Sequence, residues 1–263
     1  MADESADWKI AGLRQLDRLA LTLNEFAQKN NDGSPLVVCV QWDPSVDASR
    51  RWMPNDSRLT AISLADDASG MFDETFNTRQ LVQRNTLARE SVSNANKIVA
   101  AERRFLRGSG KSQDGLVSRY LNRPISRAVT QRLLRTHITP NEWSILILPL
   151  VVLAAFFLRH GTYGSILFGL LLFQVFSILD GCDGEIARAK FMESTSGRLL
   201  DDLSDILCNV LLGFGLGLGL GKSHRWLFIE GLVTVLLIGL NELILTKTPL
   251  VESETEKHSL GAN

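Results

Sequence analysis

Apolar and polar positions follow two different rhythms along this chain. Residues 1 to about 110 are mixed and rich in charge, whereas from Ser144 onward four long apolar segments are separated by short polar links. In KIAGLRQLDRLALTLNEFAQ, residues Ile10, Leu13, Leu16, Leu19, Leu23 and Phe26 recur three or four apart, which predicts an amphipathic helix with one buried face. PLVVCVQW predicts a buried strand, WDPSVDASRRWMPNDS a polar, turn-rich loop, and RLTAISL a second strand. From Phe72 to about Leu106 the chain is expected to be mostly helical. Residues 1–110 therefore read as a small soluble α/β domain.

The apolar runs predict spans from about Trp143 to Leu158, from Ser165 to Leu179, from the end of the following polar link to near Leu220, and from Trp226 to about Leu245. Each is near the lower limit of about 17 residues for crossing a bilayer, so flanking polar residues must complete it. Trp143 and Trp226 fit interfacial anchors. Nine cations between Arg103 and Arg135 precede the first span, which places the N-terminus on the cytoplasmic side by the positive-inside rule. Four crossings return the polar tail, residues 247–263, to that side, and the link between the second and third spans faces it too. Within the basic stretch, LVSRYLNRPISRAVTQRLLR interleaves apolar residues with arginines, as a helix lying in the interface would, started anew at Pro124; a solvated basic linker is the alternative. The expected fold is mostly α: a polytopic membrane domain of about four helices at 141–246, an amphipathic juxtamembrane helix at 111–140, and the α/β domain before them.

Composition adds little to this picture. The net charge of -1 averages two unlike halves, and Cys39, Cys182 and Cys208 have no CxxC spacing, so neither a disulfide framework nor a zinc site is expected. The first 25 residues lack an apolar core behind a basic start, so no cleavable signal peptide is expected and insertion relies on the internal segments.

The chemistry is concentrated in DGCDGEIARAKFMESTSGRLLDDLSD, Asp180 to Asp205, between the second and third apolar runs. If the second helix continues past Leu179, Asp180 and Asp183 share a face; Asp201 and Asp205, four apart, share a face on the third. One ionised Asp at membrane depth costs about 3 kcal/mol on the lenient scale, and an uncompensated cluster would oppose insertion by on the order of 10 kcal/mol. Hard divalent ions with oxygen ligands, Mg²⁺ or Mn²⁺, suit such a nest, and two of them about 4 Å apart would clamp a pyrophosphate. Gly184 and Gly197 remove side chains where a ligand could approach, and Ala187 keeps the next turn low, which leaves room for a nucleotide. Asp202 and Glu185 read as structural or solvent-facing, Cys182 as a small filler, and GFGLGLGLG further along the third run as a surface for close helix packing. Lys190 and Arg198 flank the motif and could hold an anionic acceptor, or be cations at a membrane surface.

Asp180, Asp183-Gly184, Ala187-Arg188, Gly197, Asp201 and Asp205, with two, two, eight, three and three residues between successive groups, resemble the signature of the CDP-alcohol phosphotransferase family at every fixed position. The resemblance covers residues 112–246. It implies transfer of a substituted phosphate group from a CDP-linked donor to an alcohol, with release of CMP, in a helical membrane domain that is usually a homodimer. It also implies that Asp180, Asp183 and Asp201 ligate the metals, with Asp205 beside them as a ligand and as the base for the acceptor hydroxyl. Gly184, Ala187, Arg188 and Gly197, with Asp180, would frame the cytidine and its phosphates.

Family members typically have six membrane helices, where four apolar runs and a polar tail stand here. The segment 114–141 resembles that of members which carry a nucleotidyltransferase domain and use inositol-phosphate acceptors. Residues 1–110 are weakly similar to such a domain after its phosphate loop, without that loop, so no nucleotidyl transfer is expected of them.

The expectation is an enzyme of the cytoplasmic membrane that uses CDP-diacylglycerol or a CDP-polyol, with an inositol or glycerol phosphate as a candidate acceptor, a homodimer in contact with membrane lipid and without a nucleic-acid partner. The alternatives are a non-catalytic homologue that binds CDP compounds or pairs with a complete subunit, and a cation transporter.

Overall fold

Ala11 and Gly12 both have positive φ, 48° and 83°, and this tight turn interrupts the first expected helix. In the computed structural model, which describes residues 1–30, 36–65, 74–82, 84, 87–92, 98–108 and 117–247, the turn joins β1 (Lys9–Ile10) to β2 (Leu13–Arg14). Ile10 and Leu13 are a cross-strand pair, so their helix-like spacing is that of a two-residue hairpin. The helix itself, α1, is Gln15–Asn30.

By compactness the chain groups into two units, Met1–Ile138 with Glu185–Met192, and Thr139–Gly184 with Glu193–Asn263. In the first, α1 is central. Five of its leucines and alanines divide among three clusters: Leu16 with Ala2, Ala6 and Val40; Leu19 and Leu23 with Val82; Ala20 and Ala27 with Ile62. Burial extends beyond the single face expected from the sequence to Gln15, Arg18, Thr22 and Asn24. Each of these has a backbone partner: Gln15 donates to the Gln80 carbonyl, Thr22 to that of Arg18, and the Asn24 amide both donates to Arg58 O and accepts from Ala61 N. Polar residues on a helix are compatible with burial when backbone groups of neighbouring segments satisfy them.

β3 (Leu36–Cys39) and β4 (Ile62–Ala65) pair in parallel, Leu36 opposite Ile62, as the two expected strands. β3 is less buried than its apolar composition predicts, with Leu36 and Val37 exposed. The expected helix from about Phe72 to Leu106 is corrected more substantially: β5 (Gln80–Val82) and β6 (Arg89–Ser91) pair antiparallel, and among the described residues of that stretch only those of α2 (Ile98–Gly108) are helical. Thr75, Asn77 and Thr78, just before β5, are poor helix formers, in keeping with the strand that follows them.

A π-helical turn, Ser118–Asn122, leads without a break into α3 (Arg123–Leu133), so Pro124 follows a widened turn of a continuing helix and is not a new start. Tyr120, Leu121 and Ile125 are exposed.

The second unit is built from α4 (Pro140–Leu158), most of α5 (Tyr163–Lys190), α6 (Thr195–Gly221) and α7 (Arg225–Lys247). Among the described residues α4, α5 and α6 are long and apolar enough to cross a membrane, and α7 is the helix at the fourth apolar run. α4 starts in a capping box: Thr139 accepts from Glu142 N and Glu142 from Thr139 N. Its buried stripe is Pro140, Ser144, Ile147, Val151, Ala154 and Leu158, while Ile145, Leu146, Val152 and Leu153 face outward.

The alternating glycines of α6 serve two neighbours. A Cβ at Gly215 would meet Ala155 of α4 at 3.1 Å and one at Gly219 the Leu158 carbonyl at 2.1 Å. On the other side, a Cβ at Gly213, Gly217 or Gly221 would meet Val235, Gly231 or Phe228 of α7 at 2.9, 3.2 or 2.7 Å. Every-other-residue glycine on a helix thus makes two stripes of spacing four, and the backbone approaches both neighbours closely. Each glycine costs about 1 kcal/mol of helix propensity relative to alanine, offset here by that contact.

Candidate active site

α5 does continue past Leu179, for three more turns, and Asp180 and Asp183 lie on it. Asp183, Gly184, Ala187 and Arg188 follow Asp180 by three, four, seven and eight positions, one stripe of an α-helix. Asp201 and Asp205 lie in the first turns of α6, whose N-cap is Ser194, accepting from Gly197 N at 3.0 Å.

Asp180, Asp183 and Asp201 each offer a carboxylate oxygen, and these oxygens all lie within 4.8 Å of one another. Asp183 is buried, and the other two are half-buried. Asp205 is exposed and is not one of this group; Asp202, one step round the helix, is exposed as well. Three like charges so close, partly withdrawn from water, repel strongly, and oxygen donors in this number and spacing are a hard-cation donor set.

Two residues of α4 reach this region of α5. Ser144 Oγ, on the buried stripe, donates to Asp183 Oδ2 at 2.6 Å. Trp143 Nε1 donates to the Leu179 carbonyl at 2.9 Å, which ties α4 to α5 one residue before Asp180. Trp143 was expected as an interfacial anchor; its ring is half-buried and packs on the cluster of Ile147, Val151, Phe176 and Cys208 that underlies the site. Ser144 was not singled out from the sequence. The available signal was a hydroxyl at a position that the period of the first span assigns to the buried stripe.

A side chain at Gly197 would meet Ser194 Oγ at 3.1 Å and Asn141 Oδ1 at 3.3 Å, both tips of polar side chains. Cys182 is fully buried, with its thiol 4.0 Å from the Ile178 carbonyl, the place of a filler. Glu185 is also buried: it accepts from Ser126 at 2.9 Å and Thr130 at 2.7 Å, with Arg123 at 3.5 Å, which leaves the structural of the two roles open to it. Lys190, considered as a holder of an acceptor, instead donates to the Thr136 and Ile138 carbonyls at 3.0 Å each, while Arg198 is exposed.

The match to known proteins falls on the segment that carries these carboxylates. Residues 137–261 match the model of the CDP-alcohol phosphatidyltransferase family. Among curated proteins, the chain is 36% identical over 116 residues to the "Bifunctional IPC transferase and DIPP synthase" of Thermococcus kodakarensis, which is 44% of this chain and 24% of that protein. The protein of the same name from Archaeoglobus fulgidus is 38% identical over 117 residues, 44% of this chain and 22% of the relative. That of Rubrobacter xylanophilus is 40% identical over 121 residues, 46% and 27% respectively. The chain thus matches about a quarter of the length of these relatives. Residues 137–261, just under half of the chain and the part that carries the three carboxylates, are thus similar to the CDP-alcohol phosphatidyltransferase family.

Proposed function

We propose that this protein is a membrane-embedded CDP-alcohol phosphotransferase, which moves a substituted phosphate group from a CDP-linked donor to an alcohol acceptor and releases CMP. The observation that carries the reading is the meeting of Asp180, Asp183 and Asp201 from two helices within 4.8 Å, at the spacing of the family signature. Their donor set fits Mg²⁺ or Mn²⁺, with Asp180, Asp183 and Asp201 as ligands and Asp205 completing a second position. Such ions, when bound, supply positive charge to the pyrophosphate of the donor and to the departing CMP.

The chain's own residues do the rest. Ser144 orients the Asp183 carboxylate. The low stripe of Gly184 and Ala187, with Arg188 and Gly197, receives the cytidine and its phosphates. Asp205, exposed at the mouth of α6, takes the proton of the acceptor hydroxyl as its oxygen bonds to the donor's phosphorus and the bond from that phosphorus to CMP breaks. Positioning and electrostatics account for most of the rate in such transfers.

The donor is CDP-diacylglycerol or a CDP-polyol. The acceptor is an alcohol with a phosphate of its own, an inositol or glycerol phosphate, a reading supported by the family resemblance of the segment before α4. The arginines before α4 set that end, the Asp180–Asp205 link and the C-terminal tail on the cytoplasmic side of the cytoplasmic membrane, with α3 in the interface and two copies forming a dimer.

The test is CMP release by the purified full chain with Mg²⁺ or Mn²⁺, across a matrix of CDP-linked donors and alcohol acceptors. One donor and acceptor pair is expected to give metal-dependent turnover that chelation abolishes. Binding of CDP compounds without turnover would leave the non-catalytic homologue, and neither binding nor turnover would refute both.

A further inference from the structure

The last turn of α5 ends inside a cage of arginines. Arg84 Nη1 donates to the Arg188 carbonyl at 2.9 Å, Arg18 Nη2 to that of Ala189 at 2.6 Å, and Arg58 Nη1 to those of Lys190 and Phe191 at 2.8 and 2.9 Å. Four consecutive carbonyls, which a helix end leaves without partners of its own, each accept from a guanidinium. The three arginines come from separate places: α1, the loop before β4, and the turn after β5.

Each arginine is itself fixed. Arg58 makes a fork with Asp56 at 2.5 and 2.9 Å, and Arg84 pairs with Glu25 at 2.6 Å. Arg18 is buried and also donates to the Ile10 and Ala11 carbonyls at 3.0 and 3.3 Å; burial, with Arg84 nearby, lowers it to about 10, so it is still a cation at neutral pH. The chain leaves the helix through Phe191, a bulky residue at φ 56°, with Met192 N bonded to the Ala187 carbonyl at 2.9 Å. The Phe191 ring lies under the Arg84 and Arg18 guanidinium groups at 4.5 and 5.6 Å. A helix end that only needed capping could have used glycine and water.

α5 passes from this cage directly to the carboxylates. Ala189 follows Asp183 by six residues and Asp180 by nine on one continuous helix, about 9 and 14 Å of helical rise. The cations also offset the negative end of the helix dipole, which would otherwise oppose carboxylates in the last three turns.

We propose that Arg18, Arg58 and Arg84 clamp the last turn of α5 and act as positioning residues that set the rotation and height of the helix and so the placement of Asp180 and Asp183. This rests on the reading of those carboxylates as the reaction site. None of the three arginines needs to touch substrate.

The test uses the full chain with Arg58→Gln and Arg84→Gln combined, beside the corresponding Lys pair, because buried Arg18 is the variant most at risk of not folding. The Gln pair is expected to lower kcat at least about tenfold with the donor KM within about twofold. Amide exchange over residues 185–192 should rise about tenfold, and the Lys pair should recover at least half of the activity. Unchanged exchange, or unchanged kcat per folded molecule, overturns the clamp. Absence of turnover in the unmutated chain refutes the catalytic reading instead, and Mn²⁺ affinity then takes the place of kcat alongside the exchange.

Discussion

The two halves of α6 contain the same residue for opposite purposes. Near its start, the open side of Gly197 faces the polar tips of Ser194 and Asn141, whereas Gly215, Gly217 and Gly219 press against backbone and carbon atoms of α4 and α7. The first glycine stands beside carboxylates and leaves polar space; the later ones leave none. What a glycine does in a membrane helix is therefore decided by the atoms opposite it, and the sequence shows only that a side chain is missing.

The largest expected effect falls on the polar half. Asp180→Asn, Asp183→Asn and Asp201→Asn should each reduce the initial rate of CMP release at least about 100-fold, equivalent to roughly 2.7 kcal/mol, and weaken a Mn²⁺ titration in parallel. Asp202→Asn should stay within about twofold. Equal loss at Asp202 and Asp201 would mean that the exposed face of α6, not the face toward α5, bears the chemistry.

The glycines give the next effect and test the contrast directly. Gly219→Val puts carbon where the Leu158 carbonyl already lies, and overpacking of this kind costs about 1–3 kcal/mol or more. It should lower the thermal midpoint and the yield of monodisperse protein in detergent. Gly197→Val displaces only side-chain tips, so the midpoint should hold while the Kd for a CDP compound rises several-fold. If both variants lose folding equally, the two halves of α6 do the same work and the contrast is wrong.

The smallest effect concerns the support of the clamp. Burial raises the Glu25 carboxyl, but hydrogen bonds and charge from Arg84 and Lys29 outweigh it and hold the group below its ordinary 4.5. A carboxylate with a lowered folded-state pKa contributes its stability above the unfolded value and loses it as pH falls. The pair should therefore add a constant amount, of the order of 0.5 kcal/mol for a partly exposed salt bridge, above pH 4.5. Below that, Glu25→Gln and the unmutated chain should converge in denaturation midpoint.

The sequence was most legible where one rule governs a long segment. Period and length located α4 to α7, and spacings of three and four placed Asp180 with Asp183 on one helix face. It was least legible where polar side chains serve backbone groups distant in sequence. Arg18 and Asn24 have the polarity of a solvated face, yet they are buried because carbonyls and amides of other segments meet them. Lys190 similarly looked available to a ligand and is held by two carbonyls. Phe191 occupies the left-handed position that glycine usually marks, so the true end of α5 has no local signal; the arginines that hold it there come from 104 or more residues away in sequence.

The double glycine stripe also limits how α6 can move. Leu216, Leu218 and Leu220 occupy the positions between the glycines, so sliding or turning the helix by one residue would drive an isobutyl group into a neighbour's backbone on both sides at once. The helix is denied piston and screw motions and left with bending. Asp201 lies 18 residues before Gly219, about 27 Å along the axis, so its height at one end is set by a latch at the other. Any opening of the site to admit a donor must then come from flexing of the first turns of α6 or from the loop that precedes them, not from sliding of the whole helix.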